Sequence, residues 1–385
     1  MNIKESPSGV VVKTASGYEA FLPHPLPPHI TWNMALVTTL SKADRILGML
    51  AREGARLPDP HLLIRPFVSR EAVLSSKIEG TRTTLGEIFV EASGGSVERS
   101  ADDMQEVRNY IDALDFGVAR LAEMPISLRL IREIHEKLMN GVRGSHATPG
   151  QFRTVQNWIG APGSTIATAS YVPPVPADLA EVLKDFEAFL HDHTLPPLVH
   201  VALCHYQFEA IHPFIDGNGR MGRLIIMLLL IERKVLPAPL LYLSAFFEAS
   251  RGEYYQRLYQ VSSSGSWLEW LYYFLNGVAL QAQDVLSRTE RINQLLTEWR
   301  AQVGGKVDSI PQKLLVQCCA NPYLSAKLVA EQYDVAFTTA QRAIETLEEL
   351  GILFKSAGDK RNRMYCATRI MAILDEPTLM EHDGL

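Results

Sequence analysis

Apolar side chains recur three and four positions apart along most of this chain, and that spacing places them on one face of a helix. Residues 31–50 show the pattern first, with Leu36, Leu40 and Ile46 as its apolar positions. We therefore expect a mainly α-helical protein. The same spacing predicts further helices over residues 66–79, 104–118, 127–140, 182–190, 199–211, 224–231, 267–285 and 290–303.

Segments without this spacing separate the helices. Residues 1–30 are rich in Pro and Gly and predict a mostly extended lead-in, and polar residues 94–103 predict a linker. Residues 149–176 carry β-branched and aromatic residues between Gly and Pro, which favours a β-hairpin. Beyond residue 304 three short helical patterns precede an apolar strand and a basic loop at 355–363. These breaks predict three domains, at residues 1–103, 104–303 and 304–385.

The most informative stretch runs from His212 to Arg223 and joins two strongly apolar runs, so it predicts a loop between two buried helices. Gly217, Asn218 and Gly219 can adopt positive φ and turn successive backbone N–H groups inward, which makes a nest for an anion. The positive end of the helix that follows adds to the same field. The backbone of this loop therefore suits a polyphosphate.

The charged side chains of the loop suit the same ligand. Asp216 offers a hard oxygen that can bind Mg2+ between two phosphates. Arg220 and Arg223 are three residues apart and can reach phosphate oxygens with forked donors. His212, at the start of the loop, carries the side chain best suited to proton removal near neutral pH. One loop thus offers a base, a metal ligand, an amide cradle and two guanidiniums.

Residues 212–220 match without departure the signature of the Fic family, His-Pro-Phe-x-Asp/Glu-Gly-Asn-Gly/Lys-Arg, with the second Arg of its extended form at Arg223. The resemblance implies transfer of AMP from ATP to a hydroxyl side chain of a protein target, the chain itself included. It implies that His212 deprotonates this hydroxyl and that Asp216 binds Mg2+. It further assigns the α- and β-phosphates to Gly217, Asn218 and Gly219, the distal phosphates to Arg220 and Arg223, and the adenine pocket to Tyr255, Leu258 and Ser262.

Gly219 also bears on the reaction type. Doc-like relatives, which phosphorylate their targets, carry Lys at this position and lack the acidic residue that Asp216 supplies. Both departures favour nucleotidyl transfer.

A second motif lies on the helix predicted at 66–79. Ser75 and Glu79 are four residues apart, so they share one helix face, and Gly80 follows where a helix often ends. Residues 75–80 match the Fic inhibitory motif, Ser/Thr-x-x-x-Glu-Gly/Asn, and precede the core, as in the class with an N-terminal inhibitory helix. The resemblance implies that Glu79 pairs with Arg223 and prevents productive ATP binding. It also implies that the hairpin at 149–176 is a flap, with residues 164–170 as the edge that docks the target.

The last 80 residues resemble a winged helix-turn-helix. Thr338, Thr339, Gln341 and Arg342 would lie on the recognition helix, but three nearby glutamates weaken its basic face. DNA binding, protein docking and homodimerisation are all open for this part.

Composition limits the remaining choices. The chain has 385 residues, 47% of them hydrophobic, and a net charge of −6, so it has no global basic field for nucleic acid. The longest apolar run, residues 224–231, is far below the roughly 20 residues that span a bilayer, and the first residues lack a signal-peptide pattern. We expect a cytoplasmic protein without membrane partners. Its four cysteines show no Cys-x-x-Cys spacing and are expected to be reduced core thiols.

Two alternatives to AMP transfer are open. The same site could remove AMP from a modified protein, with Glu79 positioning a water. In the other alternative the chain is a DNA-binding regulator whose loop only senses nucleotide.

Overall fold

The computed structural model of the protein describes residues 3, 6–56, 60–142, 148–356 and 363–378. Helices account for most of these residues, and two small antiparallel sheets lie at the two ends of the chain. The expectation of a mainly α-helical fold is therefore confirmed.

The N-terminal lead-in contains a β-hairpin that the sequence analysis described only as extended. Its strands are β1 (Gly9–Lys13) and β2 (Glu19–Pro23), paired antiparallel with Val11 opposite Phe21. Gly17 has a φ of 87° in the turn between them, a conformation that costs glycine little. Phe21 is fully buried and anchors the hairpin to the core.

Three helices follow: α1 (Met34–Arg56), α2 (Pro60–Ile78) and α3 (Leu85–Ala92). The predicted start of α2 at residue 66 is wrong, because Pro66 lies inside the helix. Pro58 and Pro60 predict a break between α1 and α2, but residues 57–59 lie outside the described residues. The start of α3 is fixed by a capping box between Thr84 and Glu87.

The core is built from α4 (Ala101–Arg120), α5 (Leu128–Leu138), α6 (Leu179–Leu190), α7 (Pro197–Ile211), α8 (Asn218–Glu232), α9 (Ser244–Ala249) and α10 (Arg251–Ser264). Helices α7 and α8 pack against each other and are buried on nearly every side. A helix that is apolar all round belongs at the centre of a fold. The loop that joins these two central helices is the stretch that begins at His212.

The structure corrects the prediction of a β-hairpin at residues 149–176. Over described residues 148–176 there is no β-strand, and a single antiparallel bridge joins Ile159 to Tyr171. The predicted docking edge at 164–170 forms a turn. The Thr165 N–H donates to Thr168 Oγ1 at 2.9 Å, so this backbone group is bonded within the turn and not to a neighbouring strand. Strand β2 braces this flap instead, since the Phe21 N–H donates to the Val172 carbonyl at 2.8 Å.

A single helix, α11 (Trp267–Val303), replaces the two helices predicted at 267–285 and 290–303. Ser287 and Thr289 form helix poorly, but neither Gly nor Pro interrupts the segment. Arg288 instead binds Asp284, one turn earlier, with two hydrogen bonds of 2.8 and 2.9 Å. This pair stabilises the helix across the segment of low helix propensity.

The chain ends in a unit that we call the C-terminal module. It consists of α12 (Ile310–Ala320), β3 (Tyr323–Ser325), α13 (Ala326–Tyr333), α14 (Phe337–Glu349), β4 (Phe354–Lys355), β5 (Met364–Cys366) and α15 (Thr368–Asp375). The strands form an antiparallel sheet in the order β3-β5-β4. Most of the basic loop at 355–363 lies outside the described residues, and the winged-helix assignment stays a prediction. Cys204, Cys318, Cys319 and Cys366 are buried thiols without disulfides, as expected.

Within the described residues, no helix has both the length and the apolar character needed to cross a membrane.

Candidate active site

His212 ends α7 in a left-handed conformation, with φ of 49°, and so turns the chain out of the helix. Its ring Nδ1 lies 3.3 Å from the Glu209 carbonyl oxygen. Because a carbonyl can only accept, this contact requires the proton on Nδ1 and leaves a lone pair on Nε2. Burial lowers the pKa of His212 to about 4, so the imidazole is neutral at physiological pH.

The loop after His212 is held by side chains from both sides. Asn218 accepts from the Phe214 N–H and donates to the Phe214 carbonyl, each at 2.8 Å. Arg153 donates to the His212 carbonyl at 2.9 Å, and Asn157 donates to the same oxygen at 3.3 Å. The Asn218 side chain is thus used to close the loop, which leaves its backbone N–H for an anion.

His135 on α5 also braces this loop, and the sequence analysis did not find it. Its Nε2 donates to the Asp216 carbonyl at 3.0 Å, and its Nδ1 accepts from the Gly150 N–H at 2.9 Å. The ring stacks on Phe214 with centroids 3.6 Å apart. Burial lowers the pKa of His135 to about 4 and keeps the ring neutral. No motif marks this histidine, because its role depends on packing between distant segments.

The start of α8 has the geometry of an anion nest. Gly217 is its N-cap residue, with φ of 78°, and a Cβ there would lie 2.7 Å from Met139 Sδ. A side chain at this position would be strained by the backbone conformation and crowded by Met139 and His135. The first N–H groups of a helix have no intrahelical acceptor, so those of Asn218 and Gly219 are suited to bind an anion.

Asp216 lies at the rim of this nest. Its side chain is 54% exposed, and its Oδ1 accepts from the Gly217 N–H at 2.6 Å. The carboxylate can therefore reach a ligand from solvent while one oxygen stays oriented by the loop.

The two arginines of the motif are held by different partners. Arg220 is buried, and its NH1 lies 3.0 Å from Glu106 Oε2 on α4. Arg223 is also buried and donates to Ser75 Oγ at 2.8 Å and to the Ser75 carbonyl at 2.9 Å. A third bond from Arg223 reaches Glu79 Oε1 at 2.7 Å. The structure therefore brings Ser75, Glu79 and Arg223 together but directs Arg220 towards α4.

The Glu79 carboxylate lies against the start of α8, because a Cβ on Gly219 would overlap Glu79 Oε1. Burial raises the pKa of Glu79, but the charge and hydrogen bond of Arg223 outweigh it and lower the pKa below its ordinary value. On Arg223, burial is likewise outweighed by Glu79, and the pKa is raised. An ionised carboxylate thus lies where the loop is suited to bind an anion.

A cavity of about 690 Å³ opens beside these groups. Its volume is within the range of small-molecule sites, about 300–1,000 Å³. Tyr255, with 42% of its surface exposed, and Leu258 line it together with His212 and Arg223. Ser262 lines it as well. A larger groove of about 830 Å³ between α1 and α11 contains none of the predicted site residues.

Glu209 is a further acidic residue of this cavity that the sequence analysis missed. Its buried Oε1 has no hydrogen-bond partner among the described residues. Burial raises the pKa of Glu209 to about 7, although Arg223 opposes the shift. It lies three residues before His212, and this spacing of about one helical turn is the sequence signal that marks it.

The fold is that of Fic proteins. A Fic family protein from Desulfovibrio desulfuricans G20 aligns over 89% of this chain and 98% of its own, with a TM-score of 0.59 and 21% identity. Fic-1 from C. elegans aligns over 67% of this chain and 74% of its own, with a TM-score of 0.53 and 24% identity. At these identities the likeness concerns the fold.

Two segments of the chain match models of the Fic/DOC family. The Fic/DOC family N-terminal model matches residues 37–119, and the Fic/DOC family model matches residues 125–230. Relatives named "Protein adenylyltransferase Fic" are 34% identical in Drosophila yakuba and 32% identical in Drosophila melanogaster, each over 164 residues. These matches cover 40% of this chain and 30% of each relative. The family expected from the sequence is thereby confirmed.

Proposed function

We propose that this chain is a protein adenylyltransferase that transfers AMP from ATP to a Tyr, Thr or Ser hydroxyl of a protein. The observation that carries the proposal is a neutral, partly buried His212 beside an anion nest and a cavity of about 690 Å³. The name of the Drosophila relatives supports the same activity. Tyr255, Leu258 and Ser262 would contact the adenine at the wall of the cavity.

In the proposed reaction His212 Nε2 takes the proton of the target hydroxyl, whose oxygen then attacks the α-phosphorus of ATP. A phosphodiester forms, the bond to the β-phosphate oxygen breaks, and pyrophosphate leaves. The N–H groups at the start of α8 stabilise the charge that develops on the phosphates. Arg223 would bind the distal phosphates once Glu79 has left it. Arg220 would join it only if its bond to Glu106 were exchanged for phosphate.

Asp216 fits the role of Mg2+ ligand. Mg2+ commonly binds one or two carboxylates, substrate phosphates and water, and Asp216 offers a partly exposed carboxylate beside the anion nest. Within the described residues no group of three or more His, Cys, Asp or Glu side chains could hold a metal alone. A bound Mg2+ would neutralise phosphate charge and orient the leaving pyrophosphate.

We further propose that this form of the protein is autoinhibited. Glu79 both removes a phosphate-binding cation by its 2.7 Å contact with Arg223 and places negative charge at the nest. ATP would have to displace this carboxylate before its phosphates could reach α8. The Ser75 contacts hold Arg223 in the orientation that favours Glu79.

The test is transfer of label from ATP to protein by the Glu79→Gly variant of the full chain, with lysate and without it. Label from [α-32P]ATP should appear on protein, and label from [γ-32P]ATP should not. The Glu79→Gly/His212→Ala double variant should lose transfer, and label retained by that variant would refute the role of His212.

Two further assays, read together with label transfer, separate the alternatives. Release of AMP from a protein that was modified beforehand, without any forward transfer, would favour AMP removal. Protection of DNA in a footprint, with no labelled protein, would favour a DNA-binding regulator that senses nucleotide.

A further inference from the structure

We propose that the C-terminal module controls the inhibitory contact by holding α2 on the side away from the active site. Helix α2 carries Ser75, and Glu79 follows directly after its end. The inference rests on the proposed function, because it names what sets the strength of autoinhibition.

The first observation is the environment of Arg70 on α2. This arginine is only 8% exposed and reaches across to the tail that follows α15. Its NH2 donates to the Glu376 carbonyl at 3.2 Å and to Thr378 Oγ1 at 3.1 Å. Its NH1 lies 3.9 Å from Asp284 Oδ2 on α11. One buried side chain thus connects the inhibitory helix, the long helix and the end of the module.

Arg288 extends the same cluster. It binds Asp284 with two hydrogen bonds and donates to the carbonyls of Ile373 and Glu376, the latter at 3.0 Å. Two buried guanidiniums therefore share the acceptors at the end of α15. A buried charge without acceptors is costly, so the tail cannot leave while Arg70 and Arg288 stay in place. The positions of α2 and of the tail are consequently coupled.

The module also holds the segment that follows Glu79. Asn321 donates to the Phe89 carbonyl at 3.1 Å and to Ser93 Oγ at 2.9 Å, at the end of α3. Ser93 Oγ in turn donates to the Tyr323 carbonyl at 2.6 Å, and Ser325 donates to the Ser93 carbonyl at 3.0 Å. Helix α12 packs along α2 as well. The turn that carries Glu79 therefore lies between two helices that the module contacts.

The two contacts of α2 lie on different faces. Arg70 and Ser75 are five residues apart, which places them about 140° apart around the helix axis. One face therefore meets the tail while the other meets Arg223. Packed helices move as rigid units. If the contact between the module and one face of α2 changes, the opposite face of α2, which contacts Arg223, will therefore shift as well.

The experiment compares full-length variants with the Glu79→Gly variant as the fully released reference. Arg70→Ala removes the anchor. Arg65→Ala is the matched control, since Arg65 lies on the same helix but makes an exposed ion pair with Asp115 at 3.3 Å. Thr378→Val removes one acceptor of Arg70 from a partly exposed position and serves if Arg70→Ala does not fold. Thermal melting checks folding, label transfer from [α-32P]ATP measures release, and hydrogen exchange of residues 72–79 measures the mobility of α2.

We expect Arg70→Ala to raise transfer about 5-fold or more, within the usual range of coupling between sites. Exchange in residues 72–79 should be faster in Arg70→Ala, and Arg65→Ala should match the unmodified chain. In the Glu79→Gly background Arg70→Ala should add no transfer.

A folded Arg70→Ala variant with unchanged transfer and unchanged exchange would overturn the inference. If Glu79→Gly itself transfers no label, the proposed function fails, and hydrogen exchange alone decides whether the module holds α2. Unchanged exchange overturns the inference in that case, and faster exchange supports it.

Discussion

Glu79 is the residue whose replacement should change ATP binding most. In Glu79→Gly the carboxylate leaves Arg223 and the start of α8, so both become available to phosphate. The lost contact is a charge-assisted hydrogen bond of 2.7 Å to a fully buried guanidinium, while the Glu79 side chain itself is 33% exposed. Such bonds contribute about 1.5–3 kcal/mol, and partial exposure places this one near the lower end.

An energy of about 1.5–2 kcal/mol corresponds to about a 10- to 30-fold gain in ATP affinity. Calorimetric titration of Mg-ATP into the two proteins measures this gain, and label transfer should rise in parallel. Glu79→Gln keeps the shape of the side chain but removes its charge, and it should give an intermediate gain.

Lys77→Gly is the control for the effect of glycine at this end of α2. Lys77 is in the last turn and makes a partly exposed ion pair with Glu248 at 2.9 Å, away from Arg223. Its replacement should leave ATP affinity unchanged. An equal gain in Lys77→Gly and Glu79→Gly would show that loosening of the helix, and not the carboxylate, is responsible, and no gain in either would refute the competition with phosphate.

Other predictions concern the loop and the buried histidines. Asn218→Asp cannot donate to the Phe214 carbonyl, so we expect a loss of about 1–3 kcal/mol in the free energy of unfolding, measured with urea. Asp216→Ala should raise the Mg2+ concentration needed for half-maximal transfer in the Glu79→Gly background, while an unchanged requirement would contradict its role as ligand. Burial lowers the pKa of His200 to about 4 and that of His205 to about 3, below the unfolded value of 6.5. Their contribution to stability is therefore complete above about pH 6.5 and is lost as pH falls towards 4 for His200, by at most about 3 kcal/mol, and towards 3 for His205, by at most about 5 kcal/mol. His200→Gln should reduce that slope in urea titrations at pH 7 and pH 5.

Sequence reasoning worked best where one local pattern determines the result. The loop from His212 to Arg223 contains its own glycines, cap and charges, so its position between two central helices followed from neighbouring residues alone. The meeting of Glu79 with Arg223 joined residues far apart in the chain, and only the family motif could predict it. The spacing of four residues predicted that Ser75 and Glu79 share one helix face, but it did not predict that this face contacts Arg223.

Contacts between distant segments explain most of what was missed. Glu106 on α4 holds Arg220, and nothing near either residue indicates that pairing. The predicted flap hairpin failed because turn-forming threonines satisfied the backbone, while β2, from the start of the chain, provided the neighbouring strand. The two helices predicted after residue 267 proved to be one, because Asp284 and Arg288 stabilise a segment of low helix propensity.

The continuous helix α11 extends from just after α10 to the C-terminal module without interruption, over 37 residues. At about 1.5 Å per residue it is roughly 55 Å long. A continuous helix also fixes how far its C-terminal end is rotated about the helix axis relative to its N-terminal end. Adding one residue within it would turn everything downstream by about 100° and withdraw the acceptors of Arg70 from reach. Adding seven residues would nearly restore the phase but displace the module by about 10 Å. In evolution, another domain could therefore replace the C-terminal module only if it continued α11 with the same rotation about the helix axis and the same helix length.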